Sequence, residues 1–441
     1  METTQKRLSV RRILQHVQPL PPARKLVLFL LLAGWGLMFL THVLAWRQFQ
    51  SPFPGFTVEP SGVLTPFGRS DWACFQVELP LAEPERLVSV DGTPVSGNRA
   101  LTNLLRRAYT PGGEAFFTFE HPDGSARTLL LPLINWRFRD FADIFLVPYL
   151  VSLVVMGLGT WVFWTRDDAT GYLFTCFSLA LGLTLSLIFD LTGSGVLSYL
   201  WIAALTLTGA TLFHLGLLFP GPVRWLRRRP ALQYLPYAPG LLLLVAGEAT
   251  LTTWPSPWAF IPVWRLIYAF VGLSGLFFLA MQVYRLRRSP SATVQQQSRI
   301  ILMGATLAFS PTLFWFMSNV VGAPFAFGGL YAAFIVLFPL AAAHAILRYR
   351  LAHTDALLAR GVTYWLLTLV VIAALFELTN LLAQNFGDVL SLDDPFALSL
   401  LVLALVLIFN PLLAFLQRLT DRLFLRPPAE QGAEPQSPDG S

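Results

Sequence analysis

The feature that most constrains this chain is a series of apolar runs, each about as long as a bilayer is thick. They lie at about 26–46, 141–164, 171–190, 196–219, 235–253, 259–284, 300–321, 327–347, 362–385 and 397–416. A helix needs roughly 20 apolar residues to cross a bilayer, because every backbone polar group must be satisfied within the segment. Composition agrees: 55% of the 441 residues are hydrophobic and 13% are charged, against roughly 25% charged in soluble domains. The expected fold class is mainly α, a polytopic helical membrane bundle of about ten spans.

Orientation follows from the arginines. Residues 1–25 carry Lys6, Arg7, Arg11, Arg12, Arg24 and Lys25. Alternate loops then carry Arg166; Arg224, Arg227, Arg228 and Arg229; Arg285, Arg287, Arg288 and Arg299; Arg348, Arg350 and Arg360; and Arg418, Arg422 and Arg426. The short loops between them are free of basic residues, and 386–396 is acidic, with Asp388, Asp393 and Asp394. Basic loops stay on the cytoplasmic side, so both termini are expected in the cytoplasm and the number of spans is even. The net charge of +6 thereby has a topological reason, and nucleic acid is not an expected partner. The first span reads as a retained signal anchor, too long for a cleavable signal. Cys74 lies in a polar region and Cys176 in an apolar span, so no disulfide framework is expected.

Residues 47–140 interrupt the membrane pattern. Leu87–Val95 reads as a strand running into an Asp91-Gly92 turn, and Asn98–Ala108 as a helix with Leu101, Leu104 and Leu105 on one face. Ala115–Glu120 and Arg127–Leu133 alternate around the turn residues 121–125 and predict a hairpin. The result is a small α+β domain between spans one and two. Trp46, Phe49, Phe53, Trp136, Phe138 and Phe141 are interface-type aromatics. They place the domain close to the membrane, wired to two helices.

PFPGFTVEPSGVL (52–64), ERLVSVDGTPV (85–95) and the 98–108 helix together resemble a bacterial PDZ domain. The usual Gly-Leu-x-x-Gly-Asp approach to the strand is absent, and Ala82-Glu83-Pro84-Glu85-Arg86 stands there. Such domains add an extended peptide to a sheet edge and hold its terminal carboxylate on backbone amides. The resemblance implies that Phe53, Gly55 and Phe56 offer those amides. Val58 would lie on the receiving strand, with Leu101 and Leu105 lining the groove. The other expectation is a filled groove and a domain kept as a rigid spacer.

Ionisable groups inside spans are functional candidates. Glu248 and Arg265 lie near the outer ends of the fifth and sixth spans. Glu377 sits deeper with Asn380 nearly one turn on, and His214 lies toward the inner end of the fourth. They fit packing glue and interface anchoring, or alternatively a transporter's ion path. Transporters show broken helices in repeated halves, and no internal repeat is evident. Ser178, Gly182 and Ser186 recur every four residues and permit close helix packing. No H-E-x-x-H, Gly-Lys phosphate loop, G-x-S-x-G or closely spaced Cys/His cluster occurs. Neither catalytic residues, a metal site nor a cofactor is expected.

FHLGLLFPGPVRWLRRRP (213–230), LRYRLAHTDALLARGVTYWLLTLVV (347–371) and FNPLLAFLQRLTDRLFLR (409–426) resemble the multi-span sensor region of bacterial sensor histidine kinases and of related cyclases and phosphatases. Some members carry a PDZ-like domain after the first span. The resemblance implies a bacterial inner-membrane sensor. In that family the exit helix leads into a dimerisation helix and an ATP-binding domain. Here residues 427–441 are rich in Pro, Gly and Ser and read as a disordered tail. The expected organisation is 1–25 basic cytoplasmic segment, 26–46 first span, 47–140 outer domain, 141–416 nine-helix bundle, 417–426 exit helix and 427–441 tail. The expected function is signal transduction without enzymatic output. A peptide or protein terminus, or a lipid, would be the signal, and a separate cytoplasmic kinase, cyclase or phosphatase the receiver. The seam Leu412, Leu416, Leu419 and Leu423 suits a homodimer contact but is too short to dimerise alone. The rivals are a small solute or ion transporter and a PDZ-based scaffold or chaperone.

Overall fold

A computed structural model describes residues 22–64, 72, 85–193, 195–223, 226, 228–252, 256–320 and 329–347. Six helical segments in it are long and apolar enough to cross a membrane: Pro22–Phe49, Ala142–Thr165, Ala169–Leu191, Ser198–Leu218, Pro230–Leu251 and Pro257–Arg288. The protein is therefore a multi-pass membrane protein. The spans expected at 362–385 and 397–416, with Glu377, Asn380 and the 417–426 helix, lie outside the described residues. The chain divides into two compact units. One holds residues up to Met281 plus 318–327, and the other holds Gln282–Met317 and 328 onward.

In the first unit, helix α1 (Pro22–Phe49) is apolar all round. It buries Val27, Leu31, Gly34, Met38, Thr41, Ala45 and Gln48, which alternate three and four residues apart along a single stripe. Leu26, Phe29, Leu32 and Phe39 face outward, where a bilayer would solvate them. The stripe packs on two later helices. Met38 joins Met156 and Leu179 in one cluster, and Trp35 Nε1 donates to Thr160 Oγ1 at 3.2 Å.

Those helices are α3 (Val147–Thr165) and α4 (Ala169–Thr192). A four-residue helix (Phe138–Phe141) and a π-helical turn (Ala142–Leu146) lead into α3. Asp168 caps α4 by accepting from Gly171 N at 2.7 Å. The small stripe of α4 meets α3: a Cβ on Gly159 would stand 2.6 Å from Ser178 Cβ, and one on Gly182 would stand 2.5 Å from Met156 Cγ. Helices α5 (Ser198–Leu218), α6 (Tyr237–Thr252) and α7 (Phe260–Arg288) continue the bundle. Phe213 of α5 stacks on Phe277 of α7 with centroids 3.8 Å apart.

Between α1 and α3 stands a sheet domain. Strands β1 (Arg86–Val90), β2 (Thr93–Pro94), β3 (Glu114–Glu120) and β4 (Ala126–Pro132) form an antiparallel sheet of order β2-β1-β3-β4. One helix, α2 (Asn98–Ala108), crosses between β2 and β3. Asp91 and Gly92 both have positive φ, 47° and 75°, the pattern of a type I′ hairpin. The Asp91 carboxylate accepts from Phe116 N at 2.8 Å and from Tyr109 Oη at 2.5 Å. These bonds lower the Asp91 pKa, the tyrosine contributing most. Strand alternation decides the core: Ala115, Phe117 and Phe119 point in, while Phe116 points out. Leu101 and Leu105 of α2 close over them.

The second unit contains α8 (Ala292–Val320) as far as Met317, beside α9 (Gly329–Ile335) and α10 (Leu337–Leu347). Gln297 Nε2 donates to Ala345 O at 2.9 Å, and Phe309 meets Phe338 with centroids 5.2 Å apart.

Candidate functional site

The chain leaves α1 at Phe49, turns at Ser51 and enters the sheet domain through Phe53. Phe53 and Ile134 exchange backbone bonds of 2.8 and 2.9 Å, so the entry and exit strands of the domain are stitched together at the bundle. The next segment doubles back as a short hairpin, with Val58 opposite Leu64. Phe53, Phe56, Val58, Leu101 and Leu105 all belong to the domain core. Gly55 turns the loop between them at φ 75°.

The segment 51–58 and α2 enclose a cleft, lined also by Gln48, Asn98, Thr102 and Trp136. Its free volume is ≈ 20 Å³, about the room one water needs. The expected groove residues are thus brought together but pressed against each other, with Phe53 1% and Phe56 2% exposed. Gln48 Oε1 has no hydrogen-bond partner at this cleft.

The same buried face of α2 carries Asn98 and Thr102, which dock on the C-terminal end of α4. Asn98 Nδ2 donates to Leu191 O at 2.8 Å and to Asp190 O at 3.4 Å. One turn on, Thr102 Oγ1 donates to Gly193 O at 3.2 Å. The last carbonyls of a helix have no intrahelical donor, and here a side chain from another domain supplies it. Asp190 Oδ2 in turn accepts from Leu197 N at 2.6 Å, which fixes the turn into α5. The approach is tight enough to select residues on both sides. Gly195 has φ 63°, and a Cβ there would collide with Asn98 Oδ1. Gly97 has φ 143°, and a Cβ there would collide with Pro60 O.

An aromatic chain runs beside this clamp. Trp72 sits edge-on to Phe53, which stacks on Trp136 with centroids 3.8 Å apart. Trp136 meets Phe49, Phe49 meets Phe141, Phe141 meets Phe145, and Phe145 meets Phe189 of α4. Trp72 Nε1 also donates to Asp140 Oδ1 at 3.0 Å. The domain core is therefore in continuous contact with α1, α3 and α4.

One acid lies at the junction. Glu59 is 3% exposed, and its Oε2 has no hydrogen-bond partner. Its main chain holds both neighbours: Glu59 N donates to Val63 O at 2.8 Å, and Glu59 O accepts from Asn98 N at 3.3 Å. Burial alone pushes its pKa up from 4.5 to about 8.

The intramembrane candidates fall elsewhere. His214 Nδ1 lies 3.2 Å from Tyr237 Oη, and its ring contacts Tyr234 and Tyr237. Glu248 is half-buried on α6 and Arg265 exposed on α7. Neither lines the cleft. Among the described residues no group of His, Cys, Asp and Glu could hold a metal ion. Sequence reasoning missed Asn98, Thr102 and Glu59. The signal for the first pair was Asn-x-x-x-Thr interleaved with Leu101 and Leu105 on the buried face of α2. For Glu59 it was a lone acid inside the apolar run FTVEPSGVL. Comparison of the chain with protein-family models, with curated proteins and with solved structures gives no match.

Proposed function

We propose that the chain is a bacterial inner-membrane sensor. Both termini lie in the cytoplasm, about ten spans cross the membrane, and residues 47–140 form a PDZ-like domain on the outer side. The domain perceives a peptide or protein terminus, or a lipid, and the bundle passes the change to a separate cytoplasmic kinase, cyclase or phosphatase. The chain supplies no chemistry of its own. The observation that carries this reading is the clamp of Asn98 and Thr102 on the end of α4. The helix that would flank a bound peptide is the same helix that caps a span. A ligand that displaces α2 must therefore uncap α4. Two arrangements that differ in ligand affinity are all that signalling requires.

The closed cleft agrees with a resting state, in which entry of a chain end would require α2 to move off Phe53, Phe56 and Val58. Among the described residues the transporter alternative has no comparable site, because Arg265 is exposed and His214 is engaged with tyrosines. Co-purification of the full chain from native membranes tests the proposal. A stable kinase, cyclase or phosphatase partner, lost when Asn98 and Thr102 are replaced, is the expected result. Reproducible solute uptake by the pure protein in liposomes would overturn it.

A further inference from the structure

We propose that Glu59 is a proton-binding site whose occupancy holds the sheet domain on the bundle, and whose emptying releases it. This deepens the sensor reading and rests on it: the signal it assigns is alkalinity on the domain's side of the membrane.

Four observations meet at this residue. Its side chain is almost wholly buried, and Oε2 has no partner. Among the described residues no cation forms an ion pair with it. Its carbonyl accepts the first backbone N–H of α2, from Asn98, the residue whose side chain caps α4. Tyr268, part of the cluster that joins α5 and α7 beside Leu191, is close enough to feel its charge.

Among the described residues, the groups around Glu59 offer little to an anion. On its own hairpin the polar side chain is Ser61, whose Oγ is 3.5 Å from Val63 N. From β1, the Arg86 stem packs near Gly62, and its guanidinium faces Glu120 at 3.7 Å. From α2 come Asn98, already committed to α4, and Arg99, which is exposed. From α4 comes the Asp190 carbonyl beneath Asn98, itself an acceptor. From α7 come Tyr268 and, three residues earlier, the exposed Arg265. A neutral carboxylic acid suits this setting, since burial without a partner penalises the charged form. A carboxylate there is a buried unpaired charge, and such a charge is relieved by water entry or by movement. Movement of Glu59 pulls on Asn98 N, and so on the cap of α4. Burial places the midpoint near 8, within reach of moderately alkaline surroundings.

The test uses the full chain in lipid nanodiscs. Spin labels replace Arg99 and Val196, both exposed and on opposite sides of the clamp, in a background without Cys74 and Cys176. Pulsed-EPR distances are read from about pH 6 to about pH 10, a range that brackets the titration of a buried acid. Wild type should show one short distance at low pH and a growing longer population, half-developed near 8. Glu59→Gln should keep the short distance throughout, and Glu59→Asp should retain a transition with a shifted midpoint. A pH-invariant wild type, or a Gln variant that opens as wild type does, overturns the assignment. If that happens while Asn98→Ala still abolishes partner co-purification, the sensor reading stands without the proton site. If the pH transition appears but no partner is lost from the Asn98→Ala chain, the proton site stands and the sensor reading fails.

Discussion

Removing the clamp on α4 should loosen the end of that helix by a predictable amount. The double variant Asn98→Ala/Thr102→Val takes away the bonds to Leu191 O, Asp190 O and Gly193 O. The three carbonyls do not suffer equally. Asp190 O keeps Gly193 N at 3.3 Å and Gly195 N at 3.0 Å, so its loss is small. Leu191 O becomes a buried acceptor without that donor, which costs about 1–3 kcal/mol, and the Thr102 bond adds about 0.5–1.5 kcal/mol. The middle of the combined range is about 3 kcal/mol, roughly a hundredfold in local opening. Hydrogen exchange of the intact protein in nanodiscs reads this directly. Peptides covering 190–197 should exchange about a hundredfold faster, while those covering the β3–β4 hairpin should not change. Thr102→Ser keeps the hydroxyl and should restore part of the protection. If the double variant protects 190–197 to within about twofold of wild type, the clamp does not hold the helix end and the coupling argument fails.

Three further outcomes follow from the same geometry. Glu59→Gln should stabilise the domain at high pH. The folded state keeps its proton up to about 8 against 4.5 in the unfolded chain, so stability falls as pH rises through that window, by up to ~5 kcal/mol. Thermal unfolding of wild type and variant should converge at acid pH and separate at alkaline pH. Asp91 has the opposite sign: its lowered pKa contributes stability above the ordinary aspartate value of 3.8, lost as pH falls through the folded value. Asp91→Asn should therefore flatten the acid limb of the domain's unfolding profile. Gly159→Leu places a side chain where Ser178 Cβ already stands and should cost about 1–3 kcal/mol by overpacking, seen as a lower Tm in detergent.

The membrane spans were the most legible part of the sequence. For a run such as 171–190, apolar length alone sets the helix, and Ala169–Leu191 is the observed span. The domain's strands were legible for a similar reason: Ala115, Phe117 and Phe119 alternate with outward residues, and the period fixes the face. Asp91-Gly92 marked its hairpin because few pairs tolerate positive φ twice in succession. The groove residues were legible as neighbours but not as an enclosed core. Alternation tells which side of a strand is apolar; it does not tell how close the opposing helix comes. That distance is set by Gly97 against Pro60, a contact between residues far apart in sequence.

The clamp was illegible for a deeper reason. Asn98 reads as an ordinary helix-start residue, and in most proteins its amide would serve its own helix. Here Asn98 Oδ1 accepts from Arg99 N at 2.7 Å, while Nδ2 is spent on another helix's carbonyls. That choice depends on the tertiary placement of α4, which no local pattern encodes. The same argument applies to Glu59. A lone acid between Val58 and Pro60 looks like a solvated turn residue until the hairpin, α2 and Tyr268 are placed around it. Both residues break the local rules of their segments, and both lie where the sheet domain meets the spans. Buried polar groups of this kind are costly unless satisfied, so their concentration at one junction points to the place where the domain and the bundle can exchange free energy.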